Sequence, residues 1–172
     1  MNIFILDYDI TKSAQYHNDK HVVKMILESA QLLCSAHLAH SRPAHYKMSA
    51  GHMKHPCAIW TRQTQDNYFY LWNLAAELCS EYTYRYSKVH ASQKVIYELP
   101  FPDFLPEGKQ TPFARAFRRD MPKENLERIL ACEDVVEAYR LYYILDKARF
   151  CKWTGRDTPY WFNNLNLNQK LN

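Results

Sequence analysis

"QYHNDKHVVKMILESAQ", residues 15–31, decides how this chain is read. Val22, Ile26 and Ala30, continued by Leu33 and Ala36, repeat at the 3.6-residue period of an α-helix with one apolar face. The spacing predicts a helix over roughly 11–40, opened by an N-cap at Asp9 or Thr11. Beside the apolar stripe, His17, His21, Lys24, Glu28 and Gln31 step by 4, 3, 4 and 3 residues and share one face. That polar line lies at the margin of the predicted core.

Three kinds of chemistry fit such a line. One is a solvated face with an i, i+4 Lys24–Glu28 pair worth a few tenths of a kcal/mol. A second is a metal site, since His17 and His21 have the spacing that places two imidazoles on one helical face. Glu28 or His55 would complete it. Residues 18–20 read Asn-Asp-Lys, so the glutamate of an H-E-x-x-H site is absent, and Lys20 and Lys24 oppose a cation. The third is an anion or nucleotide pocket, in which His, Lys and Arg bind phosphate and a carboxylate moves protons. All but one of the eight histidines fall between 17 and 55. The loop at 41–56 adds His45, His52 and His55, and the next helix adds Trp60 and Arg62. This clustering favours the third reading.

The remaining chain reads as mainly α. "NIFILD" (2–7) predicts a short N-terminal strand. A second long helix is expected over about 57–87, with Trp60, Tyr70, Leu71, Leu74, Leu78 and Tyr82 inward. Glu77, Glu81 and Arg85 form a line on its other side; Glu81, Arg85 and Lys88 fit surface ion pairs or, with Tyr84, Tyr86 and His90, a pocket wall. "ELPFPDFLPEGKQTP" (98–112) holds four prolines and predicts a binding loop or lid. Helices are expected at 122–132 and 134–153. The closing "KWTGRDTPYWF" fits an aromatic plug over the core, or base stacking beside phosphates.

Length and composition bound the rest. With 172 residues, 47% of them apolar or aromatic, the expectation is one helical domain over 1–172. The net charge of +4 permits a nucleic-acid or nucleotide partner without demanding one. The five cysteines form no C-x-x-C pair, which opposes a zinc ribbon or disulfide framework. Three glycines leave no dinucleotide fingerprint, P-loop or nucleophile elbow. No run reads as a membrane span and no signal peptide is evident, so a cytoplasmic protein is expected, without membrane partner, metal or cofactor.

Several pieces resemble the pyrimidine-dimer DNA glycosylase (endonuclease V-type) family. They are the opening "MNIF", the helix around "KHVVKMILESAQLL", the step at Tyr46, Lys47, His55 and Pro56, the helix "NYFYLWNLAAELCSEYTYRY" and the closing "TPYWF". The chain also looks like proteins of tailed phages, which would place it in the host cytoplasm. The resemblance implies a compact, metal-free helical enzyme. Its N-terminal α-amine attacks C1′ of a damaged nucleotide's sugar, forms a Schiff base and is assisted by a helix-borne glutamate. An α-amine, with an ordinary pKa of about 7.7–8.0, leaves a useful unprotonated fraction near neutrality. Glu28 is the glutamate this implies, with Met1 as the amine. The phage members expose threonine at the amine, whereas residue 2 here is Asn, so Lys24 stands as the alternative nucleophile. His17, His21, His55, Trp60, Arg62, Glu81, Arg85 and Tyr86 are the candidate substrate-binding residues. The alternative function is a non-enzymatic phage protein that holds a small phosphorylated ligand in a His/Lys/Arg pocket.

Overall fold

Helix follows helix along the chain, and no β-strand occurs among the described residues. The computed structural model describes residues 1–163; the polar end of the tail lies outside them. The elements are α1 (Ile10–Tyr16), α2 (Asp19–Ala39), α3 (Ala50–Met53), α4 (Pro56–Thr61), α5 (Gln65–Tyr86), α6 (Gln93–Glu98), α7 (Lys123–Ala131) and α8 (Val135–Tyr142). A π-helical turn at Tyr143–Lys147 and a 3₁₀ turn at Ala148–Phe150 continue α8.

The described chain divides into two compact units. Unit 1 comprises Met1–Ile3 and Val22–Ala116, and unit 2 comprises Phe4–His21 with 117 onward. Helix α2 is continuous, but its first three residues cluster with unit 2 and the others with unit 1.

The first two of the expected long helices are interrupted, each by a side chain that caps a new helix. Asp9 caps α1, accepting from the Lys12 N–H. At Asn18 the helix stops, and Asn18 Oδ1 accepts the His21 N–H at 3.1 Å. Satisfying an otherwise orphaned N–H this way makes a restart favourable. The same happens at Thr64, whose hydroxyl accepts from Asn67 N and opens α5. α5 ends at Ser87 in the left-handed region, with φ of 51°.

The apolar face of α2 is as the periodicity predicts. Val22, Ile26, Ala30, Leu33 and Ala36 are all fully buried. Length and composition alone would let α2 span a bilayer, contrary to the reading of the sequence, yet 67% of its most apolar window is buried inside the protein. It serves as a core helix.

The N-terminal segment carries the strand's apolar composition without the strand. Ile3, Phe4, Ile5 and Leu6 are buried. Both backbone polar groups of Leu6, however, are met by side chains. In unit 2, Ser13 Oγ accepts from Leu6 N at 3.1 Å and Arg140 Nε donates to Leu6 O at 2.8 Å. Leu6 thus has its backbone groups satisfied without a partner strand.

In unit 1 the proline-rich segment is tied down by Asn67. Its Nδ2 donates to Trp60 O at 2.8 Å and to Thr111 Oγ1 at 2.7 Å, while its Oδ1 accepts from Thr111 N at 2.8 Å. Unit 2 is built on rings. Phe4 meets Tyr139, Tyr142 and Tyr143, and Phe117 meets Tyr139 and Tyr142.

Candidate functional site

The polar line on the first helical stretch divides between the two units. Lys24 and Glu28 belong to unit 1; His17 and His21 belong to unit 2.

Glu28 is the centre of the unit 1 cluster. It is 8% exposed, a burial that a carboxylate tolerates only with partners. Oε2 accepts from the Asn2 backbone N–H at 2.9 Å and lies 3.9 Å from the α-amino nitrogen of Met1. Oε1 lies 3.4 Å from Lys24 Nζ, one helical turn before it. Lys24 is solvent-exposed over most of its side chain, so that contact adds little. The amine and the Asn2 N–H thus share one oxygen of a nearly buried carboxylate, and the lysine takes the other.

Asn2 fixes the approach of residue 1. Its side-chain Nδ2 donates to Ala116 O at 2.7 Å, and its Oδ1 accepts from Ile3 N at 2.8 Å. The Cys57 thiol points to the same Oδ1 at 3.7 Å. A further neighbour is His55, the N-cap of α4, whose Nδ1 accepts from Cys57 N at 3.2 Å. Burial, reinforced by the positive amine of residue 1, holds the His55 pKa below its ordinary 6.5, against an opposing pull from Glu28. At neutral pH His55 is therefore an uncharged imidazole. Burial pushes the Cys57 thiol up to about 12, so it is no nucleophile near neutrality.

The other candidates go elsewhere. His17 is fully buried and its Nδ1 lies 2.7 Å from Ser13 O. His21 stacks on Phe4 with ring centroids 4.5 Å apart, and its Nδ1 lies 2.5 Å from Tyr143 OH. The expected phosphate-facing pair is instead packed among unit 2's rings, because the break at Asn18 turns these histidines inward. Trp60 is core, its ring 5.3 Å from Phe113 and its Nε1 donating to Thr111 O. Arg62 donates to Met53 O at 2.9 Å and holds α3 to α4. Glu81 and Arg85 are not a surface pair. Arg85 Nε donates to Glu81 Oε1 at 2.6 Å, and both side chains are buried. The Tyr86 ring packs on Tyr82.

Sequence reasoning missed Asn2, and its only available signal was its position beside the proposed amine. It also missed His37, which sits among the apolar positions of α2 three residues after Cys34. His37 is fully buried in unit 1, with Nε2 2.9 Å from Tyr68 OH. Among the described residues, no group of three or more His, Cys, Asp or Glu side chains is placed to hold a metal ion. No protein-family model, curated protein or solved structure matches the chain.

Proposed function

We propose that this protein is a DNA- or nucleotide-directed enzyme of glycosylase type, acting in the cytoplasm on a nucleobase–sugar bond through an amine. One observation carries this reading: the residue 1 amine lies 3.9 Å from Oε2 of nearly buried Glu28. Such a carboxylate can take a proton from a nitrogen nucleophile and return it later. The Asn2 backbone nitrogen meets the same oxygen at 2.9 Å.

In the proposed reaction the amine nitrogen bonds to the sugar C1′ as the C1′–base bond breaks. The base departs with that electron pair and takes its proton from solvent. Glu28 removes a proton from the attached nitrogen and passes it to the ring oxygen, which leaves C1′ as the sugar opens to a Schiff base. The carboxylate then faces the iminium charge and stabilises it. Neutral His55 beside the amine adds no competing positive charge at pH 7. Lys24, exposed at the edge of the cluster, is placed to meet a phosphate.

Borohydride trapping tests the reading. Duplexes carrying an abasic site, a damaged base or a modified base are incubated with the protein and reductant. A covalent adduct that maps to the N-terminal peptide, and that disappears in Glu28→Gln, is the expected result. No adduct and no strand cleavage on any of them rejects it. An adduct on the Lys24 peptide moves the nucleophile to Lys24.

A further inference from the structure

Unit 1 holds a second feature, separate from the Glu28 cluster. A cavity of about 450 Å³ is lined by His37, Arg42, Pro43, Pro100, Phe101, Asp103 and Phe104. This volume falls within the range of small-molecule sites. His37 and Glu28 are nine residues apart on α2, which is about 13 Å of helix and half a turn of rotation. The cavity is therefore not part of the amine site.

Its walls combine flat apolar surface with a few polar groups. The Phe104 ring lies 4.8 Å from the His37 ring and 5.1 Å from that of His40. Phe101 is 63% exposed, and its ring packs beside Phe69 with centroids 5.4 Å apart. Arg42 lies over Phe104, 5.8 Å from its centroid, and faces Asp103 at 4.0 Å across the exposed mouth. His37 is also among the lining residues; it is fully buried, with Nε2 on Tyr68 OH and Nδ1 left without a hydrogen-bond partner. A buried, unpaired ring nitrogen is costly unless something supplies the missing bond. Burial also keeps His37 uncharged. Its tautomer then decides whether Nδ1 donates or accepts, so it suits a neutral polar edge and not an anion.

We propose that this cavity binds a nucleobase, stacked against Phe104 and Phe101, with a ring-edge hydrogen bond to His37 Nδ1. Arg42 and Asp103 at the mouth offer donors and an acceptor side by side, which matches the mixed edge of a base. A base in a free nucleoside and one unstacked from a strand present the same chemistry.

The test is titration of the full chain with adenosine, guanosine, cytidine and thymidine, and separately with a mixed-sequence single-stranded oligonucleotide. Binding is followed by calorimetry and by the ¹⁵N resonances of the His37 ring. Saturable binding of a nucleoside that shifts the His37 resonance and weakens at least tenfold in Phe104→Leu is the expected result. Saturation by the oligonucleotide alone, with the same two signatures, supports the site and assigns a strand base as its occupant. No saturation by either at millimolar concentration overturns the proposal. So does binding that leaves His37 unmoved or survives Phe104→Leu undiminished in a variant whose melting is unchanged. Glu28→Gln keeps this binding, so the fate of the two sites is read separately.

Discussion

The α-amino nitrogen of Met1 lies 3.9 Å from Oε2 of Glu28, twenty-seven positions along the chain. Replacing Glu28 with Gln keeps an oxygen to accept the Asn2 N–H and removes the base. Glu28→Gln is expected to melt within a few degrees of the parent and to lose at least a hundredfold in adduct formation, the lower range for a positioned acid–base group. Single-turnover trapping measures it, and unchanged turnover refutes the role of Glu28.

Two ion pairs with the same i, i+4 spacing are expected to differ greatly in stability. Lys24–Glu28 has an exposed lysine, and Lys24→Ala should change unfolding free energy by less than about 0.5 kcal/mol. Arg85–Glu81 is sealed, and Arg85→Met removes the guanidinium that donates to a buried carboxylate at 2.6 Å. That should cost about 3 kcal/mol or more. Urea denaturation of the two variants gives the comparison; equal costs would contradict the burial of Glu81.

The thiols provide a third measurement. Burial raises Cys57, Cys79 and Cys151 each to about 12, and raises Cys34 as well. At pH 8 these four stay protonated and slow toward a thiol reagent. Ellman's reagent should titrate at most one thiol rapidly in the folded protein, half-buried Cys132, and five after denaturation. Rapid labelling of Cys57 would show that the Asn2 region opens.

Stability should fall on mild acidification. Burial lowers the pKa of His37, His55 and His90 below the ordinary 6.5. Between those lowered values and 6.5 the unfolded chain binds protons that the folded chain does not. Stability therefore rises with pH through that window and is lost as pH falls through it. The melting temperature should drop from pH 7.5 to pH 5.5, and the His37 ring should titrate below 6.5 by NMR. A melting temperature that rises on acidification would reverse the sign.

The helices were legible because their signals are local. The face of Val22, Ile26, Ala30, Leu33 and Ala36 needs only the helical period, and each of these residues is buried. The breaks at Asn18 and Thr64 were less legible, since Asn or Thr within an apolar pattern can equally continue a helix. The buried Glu81–Arg85 pair read as surface for the same reason: spacing gives a shared face and says nothing of what covers it.

The sequence alone determined that this is a mainly α protein, which residues of α2 turn inward, and that Glu28 sits one turn from Lys24. Helical periodicity is a repeat along the chain, so it survives without tertiary context. Only the tertiary structure decided that the residue 1 amine and Asn2 meet Glu28, that His17 and His21 leave the polar line for an aromatic core, and that His37 backs a cavity. Those outcomes depend on which distant segments pack together, and no spacing within one helix encodes that.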